Sequence, residues 1–216
     1  MKQIFSVKQV PQLEWSSATP LNFRPRVVTV CYLSLGLVLF GLGESLLIAS
    51  GAGVSPWTVF AQGIAFNTSW SIGFTTMVVS FLILLLWVPL SQKPGIGTVL
   101  NALIIAFMID FSLTWLPYPQ LLSCQITQAA AGVLLVGIAS GIYLTANLGA
   151  GPRDGLMTGL QAATGLPIAT IRIGLEVTVV SIGWYLGGIV GVGTLLFAFG
   201  VGPCVAVGIL FVRKFL

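Results

Sequence analysis

Long apolar stretches constrain this chain more than any other feature of its sequence. Six of them, each near the roughly 20 residues that an α-helix needs to cross a bilayer, lie at 27–50, 71–90, 96–116, 126–148, 167–188 and 191–212. Charged residues make up only 6% of the chain, against about 25% in soluble domains. The sequence therefore predicts an all-α polytopic membrane protein with six transmembrane helices, whose surroundings are the lipid bilayer.

The basic residues near the span ends predict the orientation. Cytoplasmic loops are enriched in Lys and Arg. With both termini cytoplasmic and the spans alternating, every such residue falls on the cytoplasmic side: Lys2, Lys8, Arg24, Arg26, Lys93, Arg153, Arg213 and Lys214. The predicted segments are a cytoplasmic tail (1–26), a first membrane unit (27–116), an external loop (117–125), a second membrane unit (126–212) and a cytoplasmic end (213–216).

The two membrane units repeat each other at a single offset of 96 positions, the distance from Gly53 to Gly149. At that offset glycines, prolines and a Gly-x-Gly-Thr motif coincide in pairs: Gly41 with Gly137, Pro56 with Pro152, Gly63 with Gly159, and Gly95-x-Gly97-Thr98 with Gly191-x-Gly193-Thr194. Three crossings in each unit give the two units opposite orientations in the membrane. This arrangement predicts two inverted three-helix repeats, the plan of many secondary transporters.

Each repeat also contains a short insert, at 51–70 and 149–166, that is too short to cross and return. Both read as a Gly-rich turn followed by a short, interrupted or re-entrant helix, because a proline suits the first helical position. The exposed N–H groups of such helix ends can bind an anionic group. The predicted substrate-binding residues are Gly51, Gly53, Ser55, Pro56, Gly149, Gly151, Pro152, Arg153 and Asp154. A tight turn with a short interfacial helix and no ligand remains an equal alternative.

Charged residues within the apolar zone are the second group of candidates. Because a charge in the bilayer costs several kcal/mol, each needs a partner, water or a function. Arg172 and Glu176 are four residues apart and can pair on one helix face, either as a structural salt bridge or as charge-coupling residues. Glu44 and Asp110 have no cation nearby in sequence, so they are candidates for proton or cation coupling or for binding an amine. At the offset these four charges face Thr76, Ser80, Ser140 and Ala206, so they are not part of the repeat.

Other classes of function have little support in the sequence. The chain has no His, and its three cysteines (Cys31, Cys124 and Cys204) match no metal or redox spacing. No nucleophile-plus-base arrangement is visible, so we expect no catalytic residue, no metal site, no cofactor and no enzymatic activity. The basic residues lie at span ends instead of on one face, so we expect no nucleic-acid partner.

Five blocks in order, "GLGESLLIASGAGVSPW", "QKPGIGTVLNALIIAFMID", "LGAGPRDGLMTGL", "RIGLEV" and "GGIVGVGTLLFAFGVGP", resemble the YczE-type branch of the YczE/YyaS/YitT family of bacterial integral membrane proteins. The resemblance covers about residues 27–210. It implies a location in the bacterial inner membrane and a role in transport. Members linked to regulators that sense pyridoxal phosphate make vitamin B6 vitamers one candidate substrate. The family supplies no established catalytic residues.

Three hypotheses on function follow. The first is a transporter of an anionic or zwitterionic metabolite whose site lies between the inverted repeats. The second is a substrate-binding membrane subunit that needs a separate energising partner. The third is a membrane sensor or assembly factor that transports nothing. All three are compatible with a homo-oligomer.

Overall fold

Eight α-helices form the described part of the chain, residues 10–216 of a computed structural model. They are α1 (Val27–Ser50), α2 (Pro56–Thr68), α3 (Ile72–Trp87), α4 (Ile96–Leu113), α5 (Leu122–Ala146), α6 (Pro152–Thr164), α7 (Ile168–Tyr185) and α8 (Val192–Phe215). Five of them are long and apolar enough to cross a bilayer, and α2 with α3, which meet at a bend of 115°, make a sixth candidate span. The all-α polytopic fold class is confirmed.

The predicted spans agree with the long helices to within about four residues at most ends. The largest difference is at α5, which begins at Leu122 where the sequence predicted 126. Because α4 also ends earlier than predicted, at Leu113, the connection is shifted to 114–121. α3 has 16 residues, fewer than the roughly 20 of a typical span, and is joined to α2 at the bend.

Several backbone features coincide at the 96-residue offset found in the sequence. The short helices α2 and α6 begin and end at the same repeat positions, and each begins with a proline. The turns that precede them share their conformation as well. Gly51 and Asn147 both end their helices in the left-handed region, at φ 69° and 52°, and Gly53 and Gly149 follow at φ 110° and 115°. These turns require glycine or asparagine because other side chains are strained at such angles.

Equivalent helices of the two repeats lie antiparallel at the centre of the molecule. Gly36 of α1 lies against Tyr143 of α5, whereas Gly43, further along α1, lies against Gly132, earlier in α5. The backbones approach closely because glycine has no side chain at these positions, as is common between membrane helices.

Contacts between the repeats occur twice, once from each repeat to the equivalent residues of the other. The N–H of Gly97, at the start of α4, donates to the carbonyl of Leu148 at 2.8 Å. The N–H of Gly193, at the start of α8, donates to the carbonyl of Ala52, also at 2.8 Å. Each repeat therefore uses its own Gly-rich turn to hold the first turn of the other repeat's last helix.

A second pair of equivalent contacts joins a glycine to a larger residue in each case. The Trp87 ring of α3 fills the space over Gly155 of α6. At the equivalent contact the glycine is on the other helix: Gly183 of α7, equivalent to Trp87, lies against Val59 and Phe60 of α2.

One contact is not repeated. α3 packs along α4, but their equivalents α7 and α8 do not pack along each other. α7 is held mainly by α2, and in its first ten residues only Ile171 is buried. The two repeats thus share a backbone plan and differ in how their third helix is placed.

Both ends of the described chain lie at the same end of the helix bundle. α1 begins where the antiparallel α5 ends, and the segment before α1 is fastened there, with the Ser17 N–H donating to the Ala146 carbonyl and Asn147 Nδ2 donating to the Ser17 carbonyl. Gly137 and Gly141 of α5 lie against Cys204 and Gly208 of α8, so α8 runs parallel to α5. We call this the terminal face.

Candidate functional site

A cavity of about 380 Å³ lies between the two repeats and is lined by residues of all eight helices. This volume is within the range of small-molecule pockets, about 300–1,000 Å³. Its apolar lining comes from Phe40, Trp57, Ile105, Val136, Met157, Phe197, Val201 and Val205. Its polar lining comes from Thr76, Asn101, Ser140, Tyr143, Arg153, Asp154, Arg172 and Glu176. The arrangement, mostly apolar with a few convergent polar groups, is typical of a ligand site.

The N-termini of the two short helices meet at this cavity. Trp57 follows Pro56 at the start of α2, and Arg153 follows Pro152 at the start of α6, so the two residues are equivalent in the repeat. The Arg153 guanidinium lies over the Trp57 ring, with its Cζ 5.5 Å from the ring centroid. This cation–π contact joins equivalent positions of the two repeats across the cavity.

A buried carboxylate lies behind the α2 N-terminus. Glu44 is 1% exposed, and its Oε2 accepts hydrogen bonds of 2.8 Å from Ser55 Oγ and from Thr58 Oγ1. Its Oε1 has no hydrogen-bond partner among residues 10–216. Among residues 10–216 no cationic group lies within 4 Å of this carboxylate, and Arg153 acts on it only through space.

Asp154 supplies a second carboxylate at the α6 N-terminus. Its Oδ2 accepts a 3.0 Å hydrogen bond from the Tyr143 hydroxyl of α5, and the side chain is exposed to the cavity. A carboxylate in the first turn also interacts favourably with the helix dipole.

The ion pair predicted on α7 is present. Arg172 Nε lies 2.8 Å from Glu176 Oε1, and the two side chains are 46% and 20% exposed. Both line the cavity on the side where α7 stands away from α8. The pair is therefore part of an open cavity wall, and neither of its members is fully buried.

The cavity lining includes some of the predicted site residues and leaves out others. Gly151, Pro152, Arg153, Asp154, Arg172 and Glu176 line it. The turns behind the cavity contain four others, Gly51, Gly53, Pro56 and Gly149. Ser55 is the N-cap of α2, but it makes no capping hydrogen bond because its hydroxyl donates to Glu44. Of the two turns, only the one in the second repeat contributes its own residues to the cavity wall.

Asp110 lies apart from the cavity, near the end of α4. Its Oδ1 accepts a 2.8 Å hydrogen bond from the N–H of Gly73, and its Oδ2 accepts a hydrogen bond from the Ser71 hydroxyl, at the start of α3. It joins α3 to α4 at the end of the bundle opposite the terminal face.

The two short helices differ in the exposure of one equivalent face. On α2 this face consists of Thr58, Gln62 and Ala65, all buried. On α6 it consists of Asp154, Thr158 and Gln161, all exposed. α6 runs from the cavity toward the terminal face, where Gly159 contacts Leu90 and Gln92 in the turn after α3. This polar face of α6 is therefore accessible, whereas the equivalent face of α2 is enclosed by other helices.

Sequence reasoning missed the aromatic part of the site. Trp57, Tyr143, Phe40 and Phe197 come from four different helices, and nothing in their spacing indicates a common site. One signal was available for Trp57, because the offset of the repeat places it opposite Arg153.

The chain matches proteins that are themselves without a described activity. It is 39% identical over 92% of its length to an uncharacterized protein of Haemophilus influenzae, of which 90% is covered. It is 34% identical to the uncharacterized membrane protein YczE of Bacillus subtilis, over 76% of this chain and 77% of YczE. The uncharacterized protein YyaS of the same organism is 26% identical, over 76% and 84% of the two chains.

No solved structure matches the chain. Residues 27–209 match the model of a family of unknown function, DUF6198, and together with the relatives named YczE and YyaS this confirms the resemblance found in the sequence. The chain is a membrane protein of the DUF6198 family.

Proposed function

We propose that this protein is a small-molecule transporter whose substrate binds in the cavity between two inverted repeats. The observation that carries the proposal is the unequal packing of equivalent helices around one cavity, closed where α3 meets α4 and open where α7 leaves α8. In inverted-repeat transporters, sites lie at the repeat interface beside interrupted helices, and rocking of one repeat against the other exposes them alternately.

The antiparallel contact of α1 with α5 and the exchanged contacts at Ala52 and Leu148 support the inverted relation. If the repeats exchange conformations, α7 closes on α8 while α3 moves away from α4. The cavity then opens at the opposite end. The arrangement described above is, on this proposal, the state open toward the terminal face.

The charges around the cavity favour a zwitterion over a simple anion. Glu44, Asp154 and Glu176 are three carboxylates, whereas Arg153 and Arg172 are two guanidiniums. With Arg172 and Glu176 paired, one carboxylate is in excess beside Arg153. A zwitterion leaves this net charge unchanged, whereas a simple anion would add to it. Its cationic group can bind at Asp154 and its anionic group at Arg153.

The apolar lining completes this assignment. The Trp57, Phe40 and Phe197 rings offer stacking surfaces to a small aromatic or aliphatic body. A vitamin B6 vitamer, which the sequence resemblance suggests, combines an aromatic ring with both kinds of charge.

We propose the bacterial inner membrane as the location, with the terminal face in the cytoplasm. Arg24, Arg26 and Lys93 lie near this face, as do Arg213 and Lys214 at the end of α8, and the positive-inside rule assigns such a face to the cytoplasm.

Uptake into liposomes that contain only the purified protein tests the proposal. The assay uses isotope-labelled pyridoxine, pyridoxal, pyridoxal 5′-phosphate and a panel of amino acids and dicarboxylates. We expect accumulation of at least one zwitterion above protein-free liposomes, and loss of that accumulation in Arg153→Ala. Binding in a thermal-shift screen without uptake would instead favour a substrate-binding subunit.

A further inference from the structure

We propose that Asp110 is the gating residue that keeps the cavity closed at the end opposite the terminal face. This inference rests on the proposed transport function and identifies the group whose release opens the second access route. It assigns Asp110 a role at the closed end of the cavity, away from the substrate.

The contacts of Asp110 join two helices that would have to separate. The carboxylate projects from the last turn of α4 and accepts from the Gly73 N–H and the Ser71 hydroxyl, both at the N-terminus of α3. These are charge-assisted hydrogen bonds, about twice as strong as neutral ones. A carboxylate at a helix N-terminus also interacts favourably with the helix dipole.

The close approach at this point depends on a glycine. A side chain on Gly73 would clash with the Asp110 carboxylate and with the carbonyl of Ala106 on α4. α3 can therefore lie against α4 only because residue 73 is glycine, and the carboxylate then holds it there.

The contact lies one helical turn from the cavity wall. Thr76, one turn further along α3 than Gly73, lines the cavity wall. If α3 moves away from α4 at Gly73, the wall at Thr76 moves with it. The cavity then becomes accessible from that end.

The second repeat supplies the comparison that points to a gate. The positions equivalent to Ser71, Gly73 and Asp110 are Pro167, Ala169 and Ala206, which provide neither the carboxylate nor the hydroxyl. In that repeat α7 and α8 do not pack along each other and the cavity is open. α3 and α4, which the Asp110 carboxylate joins, pack along each other, whereas α7 and α8, which lack this carboxylate, do not.

A cysteine in the cavity reports directly on this gate. Cys31→Ser, Cys124→Ser and Cys204→Ala remove the native thiols, and Ser140→Cys, on the buried central helix α5, places a single thiol in the cavity wall. A membrane-impermeant cationic methanethiosulfonate is applied to right-side-out and inside-out vesicles separately. The parent protein should react mainly from the terminal face.

Asp110→Asn should raise the reaction rate from the opposite face by about tenfold or more, because a hydrogen bond to a charged group is weakened. Ser71→Ala, which leaves the Gly73 N–H bond in place, should give a smaller increase. Thr114→Val is the matched control, since its hydroxyl bonds only to the Phe111 carbonyl of its own helix, and it should react as the parent does.

Melting temperatures establish that each variant is folded, and if Asp110→Asn fails to fold, Ser71→Ala decides the question. Unchanged labelling from the opposite face in the folded variants would overturn the gate, as would an equal increase in Thr114→Val. Uptake is measured separately on the same proteins. If labelling increases in Asp110→Asn but no uptake is found, the gate is supported and the transport function is contradicted. If uptake is found but labelling does not change, the transport function is supported and the gate is contradicted.

Discussion

The two repeats of this protein have the same backbone turns and opposite packing. In the first repeat, α3 lies along α4, and the Thr58–Gln62–Ala65 face of α2 is buried. In the second, α7 stands away from α8, and the equivalent face of α6 is exposed. One chain plan therefore supports two packing arrangements around a single cavity, and the proposed transport function depends on this difference.

Residues that recur in both repeats differ in role from residues that do not recur. Glycines and prolines recur at the offset, and they form the turns and close contacts shared by both halves. The charges do not recur: Arg153, Asp154, Arg172 and Glu176 correspond to Trp57, Thr58, Thr76 and Ser80. The shared residues build the fold, and these four unshared charges line the cavity.

The largest expected difference between equivalent positions is that between Glu44 and Ser140. Glu44→Ala removes the carboxylate oxygen to which the Ser55 and Thr58 hydroxyls donate. We expect a loss of about 3 kcal/mol in the free energy of unfolding, because two hydrogen bonds to a charged group are lost. Ser140→Ala removes only a hydroxyl bonded to the Val136 carbonyl of its own helix and should cost less than about 1 kcal/mol. Unfolding in detergent measures both, and equal losses would contradict a central role for Glu44.

Substrate affinity should separate the two arginines of the site. Arg153→Ala should weaken binding of the zwitterion found in the uptake panel by about 1.5–3 kcal/mol, because a charged hydrogen bond is lost. Arg172→Ala should weaken it less, since Glu176 already pairs with that side chain. Calorimetric titration of the folded variants measures the affinities, and a larger loss in Arg172→Ala would reverse the assignment.

Two glycines of α7 differ in how closely a neighbouring helix packs against them. A Cβ at Gly183 would lie 2.6 Å from the Phe60 backbone, whereas one at Gly174 meets nothing within 4 Å. Gly183→Ala should therefore destabilise the protein by about 1–3 kcal/mol. Gly174→Ala should be neutral or stabilising by up to about 1 kcal/mol. Equal melting temperatures would mean that α7 is not anchored on α2 through its second half.

The smallest effect is expected at the ion pair of α7. Arg172 is almost half exposed to the cavity, so the pair is screened and contributes under about 1 kcal/mol. Arg172→Ala should shift the melting temperature only slightly. A large drop would show that the pair holds α7 in place.

Local patterns in the sequence predicted much of the fold. The apolar stretches located the long helices, the Gly-Pro punctuation located α2 and α6, and the four-residue spacing of Arg172 and Glu176 predicted their pairing. Each of these depends on neighbours within one helix or one turn, which a single sequence contains.

The site depended on contacts between distant helices and was predicted only in part. Arg153 and Asp154 belong to it, but the stacking of Arg153 on Trp57 joins residues from opposite repeats. Asp110 had no visible partner in sequence because its donors, Ser71 and Gly73, lie at the start of another helix. The separation of α7 from α8 is visible only in three dimensions, because no periodicity of the sequence encodes which helices pack together.

The most direct test of the account is the accessibility of one equivalent pair of positions. Single cysteines replace Thr158 on the exposed face of α6 and Gln62 on the buried face of α2, and an impermeant thiol reagent is applied from each side of the membrane. The account predicts rapid reaction of Thr158→Cys from the terminal face only, and slow reaction of Gln62→Cys from both. Rapid reaction of Gln62→Cys from the opposite face, with Thr158→Cys protected, would contradict the assignment of the open and closed repeats.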